Sequence, residues 1–236
     1  MKTDENKNGS IHIDHRKRLK EQFYKIRSEG MSDFTLLEFV LFFGKPQGDT
    51  NILAHDLIEH FGSFDKVFEA DHEELKEVSG VGDHIAFLLS TFLPVQKRYL
   101  EKKAGDNFSY SEKEKIRKFL DAKYTGVQHE KAMLINFDSK GMYTNCDFIA
   151  DGDFGQVSFN CRKVASSIVK SRAVFSILVH NHPSGICKPS VSDLTCTNSL
   201  KNFLAQLDVT LTDSIILTED SIFFFSGDPK LFDCIY

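Results

Sequence analysis

Three features are absent from the sequence. It has no Cys-x-x-Cys pair, no tryptophan, and no apolar run approaching the ~20 residues that a bilayer-spanning helix requires. The five cysteines are an odd number, and the polar residues 1–10 contain no apolar signal-peptide core. We therefore expect free thiols in a reducing cytoplasm, no membrane partner and a disordered start of the chain. The 22 phenylalanines indicate a phenylalanine-rich core.

An excess of positive charge is also missing. The net charge is -5, and residues 1–104 carry 15 Lys and Arg against 18 Asp and Glu, while residues 105–236 carry 14 against 16. Bulk electrostatics therefore favours neither nucleic acid nor an anionic membrane. No Gly-x-Gly-x-x-Gly follows a predicted strand, which argues against a dinucleotide-binding fold.

What is present predicts two domains. The hydrophobic fraction of 41% and the charged fraction of 27% are typical of a soluble globular protein. Residues 1–104 have helical periodicity, and the charged segment 102–107, which contains Gly105, is the best linker candidate. We predict an all-α first domain over residues 1–104, with helices at residues 15–27, 33–43, 51–61, 64–69, 71–78 and 85–100.

Residues 105–236 show a different pattern, in which short apolar runs alternate with helical segments. The order strand, strand, helix, strand, helix, strand, strand predicts a mixed α/β domain opened by a short helix. The predicted strands are residues 131–137, 142–149, 174–179, 209–217 and 222–225, and the predicted helices are residues 111–120, 160–172 and 192–207.

The first domain contains a helix-hairpin-helix pattern, in which Gly80-Val81-Gly82 separates two helical segments. Such a turn exposes backbone N–H groups at a helix start, where a DNA phosphate can bind. The alternative is that the glycines only allow a sharp turn, and the negative charge of Asp83 opposes phosphate. The basic segment 15–27 has the same two interpretations, a solvated helix face or, as the minority view, a phosphate-binding surface.

A candidate metal site lies at the end of the third predicted strand. His180 and His182 are two positions apart, so their side chains point to the same side of an extended backbone. Pro183 and Gly185 then turn the chain, and a helix beginning near residue 190 carries Asp193 in its first turn. Two imidazoles and one carboxylate leave a fourth tetrahedral position open for water, as in catalytic zinc sites.

Other interpretations of these residues remain open. Ser190-x-x-Asp193 is close to a helix capping box, in which Asp193 would only satisfy a backbone N–H. Two His and one carboxylate also suit a non-haem Fe(II) oxygenase, and the letters His-Asn-His suggest an HNH nuclease, although both motifs usually draw their residues from wider spacings. Cys187, in the turn, is an alternative ligand to Asp193.

The run His-Asn-His-Pro-Ser-Gly at residues 180–185, followed by Pro-Ser-x-x-Asp at residues 189–193, resembles the signature of the RadC family. RadC proteins are bacterial members of the JAMM (MPN/JAB) metalloprotease-like superfamily. Further similarity covers nearly the whole chain, at residues 15–19, 47–50 and 80–82. The resemblance implies a mixed-sheet JAB/MPN (cytidine-deaminase-like) domain behind a small helix-hairpin-helix domain.

The resemblance also implies roles for individual residues. His180, His182 and Asp193 would bind one Zn²⁺ ion, Glu130 would act as general base, and Ser190 would donate a hydrogen bond to the oxyanion. If the glutamate of the family did not map to Glu130, the neighbouring His129 would be a candidate third nitrogen ligand. The implied reaction is hydrolysis of an amide, peptide or isopeptide bond in an unknown substrate. The family's DNA-repair label gives the alternative, a DNA-associated accessory protein that binds duplex through its helical domain. Residues 160–163 depart from the His-Pro-Arg-Glu usual in relatives.

Overall fold

The computed structural model describes residues 5–152, 159–228 and 230–231, with side chains from His15 onward. The chain divides into two compact units, Met1–Gln96 and Lys97–Tyr236, and this division falls within the helix Asp83–Ala104. That helix includes part of the expected linker, because Lys and Glu are good helix formers as well as common linker residues. The domain boundary at residues 104/105 stays a prediction.

The first unit is helical, as predicted. Its described elements are α1 (Glu5–Ile26), α2 (Asp33–Gly44), α3 (Asn51–Phe61), α4 (Phe64–Glu69), α5 (His72–Lys76) and the first part of α6 (Asp83–Ala104). Leucine, isoleucine and valine side chains from α2 to α6 form its buried core. Glycine allows the turn between α5 and α6, since Gly80 has a φ of +91°, a conformation that other residues rarely adopt.

The start of α1 corrects one expectation. Residues 5–10 were expected to be disordered, but the helix begins at Glu5. Once the amphipathic segment 15–27 has nucleated a helix, adding polar residues at its N-terminal end costs little, because each added residue gains one backbone hydrogen bond. The first four residues lie outside the described part of the chain.

The second unit contains a mixed five-stranded sheet within its described residues, in the order β2-β1-β3-β4-β5. Strands β3 and β4 are parallel, and the other neighbouring pairs are antiparallel. The predicted mixed α/β order is therefore confirmed. The elements are α7 (Lys113–Tyr124), β1 (Lys131–Phe137), β2 (Tyr143–Asp151), α8 (Cys161–Ser171), β3 (Phe175–Asn181), α9 (Val191–Ala205), β4 (Thr210–Leu217) and β5 (Ile222–Phe224).

Each face of this sheet is covered by helices. Odd-numbered residues of β1 and β3, such as Met133 and Val179, pack with α7. Even-numbered residues, such as Leu134 and Leu178, pack with α8 and α9. The period of two along a strand thus assigns every side chain near the end of β3 to one face or the other. Phenylalanine contributes to the α7 side, as the composition predicts, through Phe108, Phe119 and Phe137.

The remaining expectations from composition concern membranes and cysteines. Among the described residues, none of the helices combines the length and the apolar character needed to cross a bilayer. Four cysteines, Cys146, Cys161, Cys187 and Cys196, are free thiols, and Cys234 lies outside the described residues. The cellular compartment stays a prediction.

Candidate metal centre

The pairing of β1 with β3 brings Glu130 next to His180. Ala132 lies opposite His180 in the antiparallel ladder, and Glu130 precedes it by two positions. Because side chains two apart point to the same face, Glu130 lies on the α8 and α9 side of the sheet, where His180 also points. Register alone therefore joins two residues that are far apart in sequence.

A tight turn then fixes His182. Its backbone N–H donates to the carbonyl of Leu217 at 2.8 Å, which continues the pairing of β3 with β4 by one residue. Gly185 adopts a φ of +78° and donates its N–H to the His182 carbonyl. The Nδ1 atom of His182 lies 2.8 Å from the carbonyl oxygen of Ile186. A hydrogen bond there places the proton on Nδ1 and leaves Nε2 as the nitrogen that can bind a metal.

Asp193 comes from the first turn of α9, and the expected capping box is present. Ser190 caps the helix, and the Oδ2 atom of Asp193 accepts hydrogen bonds from the Ser190 N–H and the Ser190 hydroxyl, both at 2.7 Å. The same carboxylate also faces the imidazoles. The Nε2 atom of His180 lies 3.6 Å from Oδ1, and the Nε2 atom of His182 lies 3.5 Å from Oδ2. The capping and metal-site interpretations of Asp193 therefore hold together.

Glu130, His180, His182 and Asp193 form one cluster, in which one ligand atom from each residue lies within 4.8 Å of all the others. His180 is fully buried and Asp193 is 2% exposed. Burial raises the pKa of Asp193, but His180, His182 and Ser190 outweigh burial and hold that pKa well below its usual range. Asp193 in turn raises the pKa of His182, although partial burial of the ring opposes this.

The donor set fits a divalent metal ion. Two imidazole nitrogens and carboxylate oxygens are the ligands that zinc accepts at catalytic sites, and the two carboxylates bring negative charge that a cation would compensate. Buried carboxylates are otherwise costly unless they are paired or bind metal. The residues predicted as metal ligands and base are thus brought together.

Two alternative ligands lie outside this cluster. The Nε2 atom of His129 is 2.6 Å from the Oδ1 atom of Asp151, and His129 is exposed. The thiol of Cys187 donates to the carbonyl of Ile216 at 3.6 Å. Neither residue belongs to the four-residue cluster found among the described side chains.

One residue near the cluster escaped the sequence analysis. Asn181 lies between the two histidines and was assigned no role, but its side-chain amide bonds to backbone on both sides of Glu130. Strand alternation could have indicated only that Asn181 points away from the histidines. Its partners depend on how β1 and β3 pair, which the sequence does not specify.

The helix-hairpin-helix turn in the first unit has a different electrostatic character. Asp83 stands at the start of α6, and its carboxylate lies 2.8 Å from the Nζ atom of Lys76 and 3.6 Å from the Nε2 atom of His72. Lys76 holds the pKa of Asp83 below its usual range. The carboxylate thus occupies the helix start at which a phosphate would bind, and it engages the side chains of Lys76 and His72.

Comparison with known proteins agrees with both units. Residues 110–229 match the model of the RadC-like JAB domain, and residues 51–98 match that of the helix-hairpin-helix motif. A UPF0758 protein of Fusobacterium nucleatum is 30% identical over 218 residues, which cover 89% of this chain and 94% of the relative. A UPF0758 protein of Ruegeria pomeroyi is 33% identical over 207 residues, which cover 86% and 91%.

These matches define the second unit as a RadC-like JAB domain that follows a helix-hairpin-helix motif. The chain belongs to the RadC family. The resemblance inferred from the histidine motif and the mixed α/β fold class are both confirmed.

Proposed function

We propose that this protein is a zinc-dependent hydrolase that cleaves an amide, peptide or isopeptide bond. The observation that carries the proposal is the cluster of Glu130, His180, His182 and Asp193, whose ligand atoms lie within 4.8 Å of one another and of which His180 and Asp193 are buried. His180, His182 and Asp193 would hold the ion. A bound Zn²⁺ would supply Lewis-acid chemistry, lowering the pKa of a water toward ~7 and polarising the carbonyl of the substrate.

Glu130 is the candidate general base. It is partly exposed, whereas His180 and Asp193 are buried, so its carboxylate is less shielded from water than theirs. In this role its carboxylate accepts a proton from the attacking water and later returns the proton to the leaving amine. Because Glu130 and Asp193 differ in burial and partners, one carboxylate can hold the ion while the other transfers protons.

Ser190 is the candidate oxyanion donor. Its hydroxyl donates to Asp193 and lies 2.8 Å from the Ser192 hydroxyl, so it is held beside the cluster. A hydroxyl rotates readily between partners, and donation to the developing oxyanion would be worth ~3 kcal/mol in the transition state. The Ser190 N–H remains bonded to Asp193 during such a rotation and keeps the ligand in place.

The first experiment measures zinc per chain by plasma mass spectrometry, and cleavage of a proteome-derived peptide library. We expect one zinc in the wild type and in Glu130→Gln, cleavage by the wild type alone, and little zinc in Asp193→Ala. The matched control is Glu114→Gln, which changes an exposed glutamate in the first turn of α7 and should cleave normally.

Three outcomes would contradict the proposal. Full zinc in Asp193→Ala would remove Asp193 from the ligands. Loss of zinc in Glu130→Gln would make Glu130 a ligand rather than a base. Cleavage by Glu130→Gln at the wild-type rate would show that another group transfers the proton.

A second candidate function is DNA binding by the first unit, which the helix-hairpin-helix match at residues 51–98 favours. The turn with Gly80 and Gly82 would present backbone N–H groups to a phosphate. The Asp83 carboxylate opposes this, although Lys76 partly compensates its charge. Binding of the full chain to duplex DNA should then weaken steeply with salt, and Asp83→Asn should bind more tightly. A flat salt dependence, or no binding at low salt, would remove this candidate.

A further inference from the structure

The side-chain amide of Asn181 closes a ring around Glu130. Its Oδ1 atom accepts a hydrogen bond from the N–H of Lys131 at 2.7 Å, and its Nδ2 atom donates to the carbonyl of His129 at 3.0 Å. These two backbone groups belong to the peptide planes on either side of the Glu130 Cα atom. Fixing both planes fixes φ and ψ of Glu130, and therefore the direction in which its side chain leaves the backbone.

The position of Asn181 explains how it can do this. The β1–β3 ladder ends with Ala132 opposite His180, so the next pair would be Lys131 with Asn181. In place of a further backbone pair, the side-chain amide of Asn181, which carries the same donor and acceptor as a peptide group, extends the ladder to His129. Asn181 is 7% exposed, so water competes little for these bonds.

Neighbouring residues also hold residues 129–131 through further hydrogen bonds and ion pairs. The carboxylate of Asp151 lies 2.6 Å from His129 Nε2 and 3.2 Å from Lys131 Nζ, and the N–H of Gly152 donates to the Glu130 carbonyl at 2.8 Å. The hydroxyl of the buried Tyr124 lies 3.2 Å from the carbonyl oxygens of both Lys131 and Val179. Of these residues, Asn181 alone is adjacent in sequence to both His180 and His182.

We propose that Asn181 is a positioning residue, which ties the strand carrying His180 and His182 to the backbone of Glu130 and so sets the distance between the general base and the ligands. This inference rests on the proposed function for the role of Glu130. Because Asn181 points to the opposite face from the histidines, it has no access to the ion itself.

The test compares Asn181→Ala and Asn181→Asp with Asn145→Ala. Asn145 is the matched control because its side-chain amide also makes hydrogen bonds, to Asn136 and Asp147. It lies towards the other end of β2 from Asp151, the residue that pairs with Lys131 beside Glu130. Three properties are measured in each variant. They are zinc per chain, hydrogen exchange of the Lys131 amide by NMR, and kcat and KM for a peptide that the wild type cleaves.

We expect one zinc per chain in every variant. In Asn181→Ala, the Lys131 amide should exchange at least about tenfold faster, because its acceptor is gone. The kcat should fall about 10- to 100-fold with little change in KM, because a misplaced base weakens the transition state and not substrate binding. Asn181→Asp keeps the acceptor for Lys131 but places an oxygen against the His129 carbonyl, so its amide exchange should stay slow while its kcat falls. Asn145→Ala should match the wild type in the exchange of the Lys131 amide and in kcat.

Unchanged exchange of Lys131 in Asn181→Ala would overturn the inference, as would loss of zinc from that variant or a fall in kcat no larger than that of Asn145→Ala. If the wild type cleaves no peptide, the proposed function fails by itself. Crystal structures of zinc-loaded wild type and Asn181→Ala then decide the inference. Displacement of the Glu130 carboxylate by more than about 1 Å, with the three ligands unmoved, supports it, and an unmoved carboxylate overturns it.

Discussion

Two helices of this protein begin with the same kind of capping box, and the second of them places its acidic side chain in the candidate metal centre. Helix α5 starts with a capping box between Asp71 and Glu74, and helix α9 starts with one between Ser190 and Asp193. In each, the side chain three positions into the helix accepts a hydrogen bond from the backbone N–H of the capping residue. From the sequence alone, both are helix starts of similar quality.

The difference lies in what surrounds the two acidic side chains. Glu74 is exposed, whereas Asp193 is 2% exposed and lies 3.5–3.6 Å from two imidazole nitrogens. Burial removes the water that would otherwise solvate the carboxylate, so the cost of its charge must be offset by fixed partners or by an ion. Solvent exposure and tertiary neighbours, and not the local motif, separate a helix cap from a candidate ligand.

The largest effect on zinc affinity should come from removing the charge of the acidic side chain in each capping box while keeping its shape. Asp193→Asn retains an oxygen for the Ser190 N–H but is a poor metal ligand, so we expect zinc affinity to fall about 100-fold or more. Glu74→Gln, the same change in the exposed cap, should leave zinc affinity unaltered. Calorimetric titration with zinc measures both variants, and equal affinities for the two would end the distinction between the caps.

Zinc itself should stabilise the unit that contains the buried cap. An ion present at one hundred times its Kd contributes about 2.7 kcal/mol to the free energy of unfolding. For a unit of this size we expect Tm to rise by about 5 to 10 °C on scanning calorimetry. The rise should persist in Glu74→Gln and disappear in Asp193→Asn. A rise of the same size in Asp193→Asn would place the stabilising ion elsewhere.

A smaller effect should follow from removing the capping side chains. Ser190→Ala and Asp71→Ala should each lower the free energy of unfolding by about 1 kcal/mol, because each helix loses its cap. Only Ser190→Ala should also weaken zinc binding, by about tenfold, since Asp193 loses a hydrogen bond that orients it. Urea unfolding and zinc titration of both variants provide the test, which would fail if Asp71→Ala weakened zinc binding equally.

The smallest effect should be a dependence of the stability of the metal-free protein on pH. The pKa of Asp193 is lowered, so its contribution to stability is present above the unfolded pKa of about 3.9 and is lost as the pH falls through the folded value. The pKa of His182 is raised, chiefly by Asp193, so its contribution is present below about 6.5 and is lost as the pH rises through the folded value. Stability from this pair is therefore greatest between about pH 4 and about pH 6.5.

Urea midpoints of metal-free wild type, Asp193→Asn and Glu74→Gln measure this dependence at about pH 6 and about pH 9. The loss of stability between these values should be smaller in Asp193→Asn, because His182 has lost its partner, and unchanged in Glu74→Gln. Identical losses in the wild type and Asp193→Asn would show that the pair contributes no pH dependence.

Local patterns were enough to predict much of this molecule. Apolar periodicity gave the bounds of β1, Lys131–Phe137, and of α3, Asn51–Phe61, as the structure has them. Alternation within a strand placed His180 and His182 on one side, and the turn residues predicted that Asp193 would return to them. These features depend on neighbours within a few positions, which a single sequence records.

Other features depend on tertiary contacts that no local pattern records. The bonds of Asn181 to His129 and Lys131 follow from the register between two strands that are distant in the chain. Charge composition suggested a linker where α6 continues to Ala104, because the same residues suit an exposed helix. The roles of Glu130 and Ser190 are still predictions, since geometry places them without showing a reaction.

Asp193 both belongs to a capping box and faces the imidazoles, which changes how an intact motif is interpreted across evolution. Loss of this carboxylate would cost folding stability as well as its contact with the imidazoles, because Asp193 completes the capping box of helix α9. A descendant that lacked the proposed hydrolase activity would therefore be expected to keep Asp193. Glu130, His180 and His182 stand at strand ends and serve no helix cap, so drift at these three positions is the more informative mark of an inactive lineage.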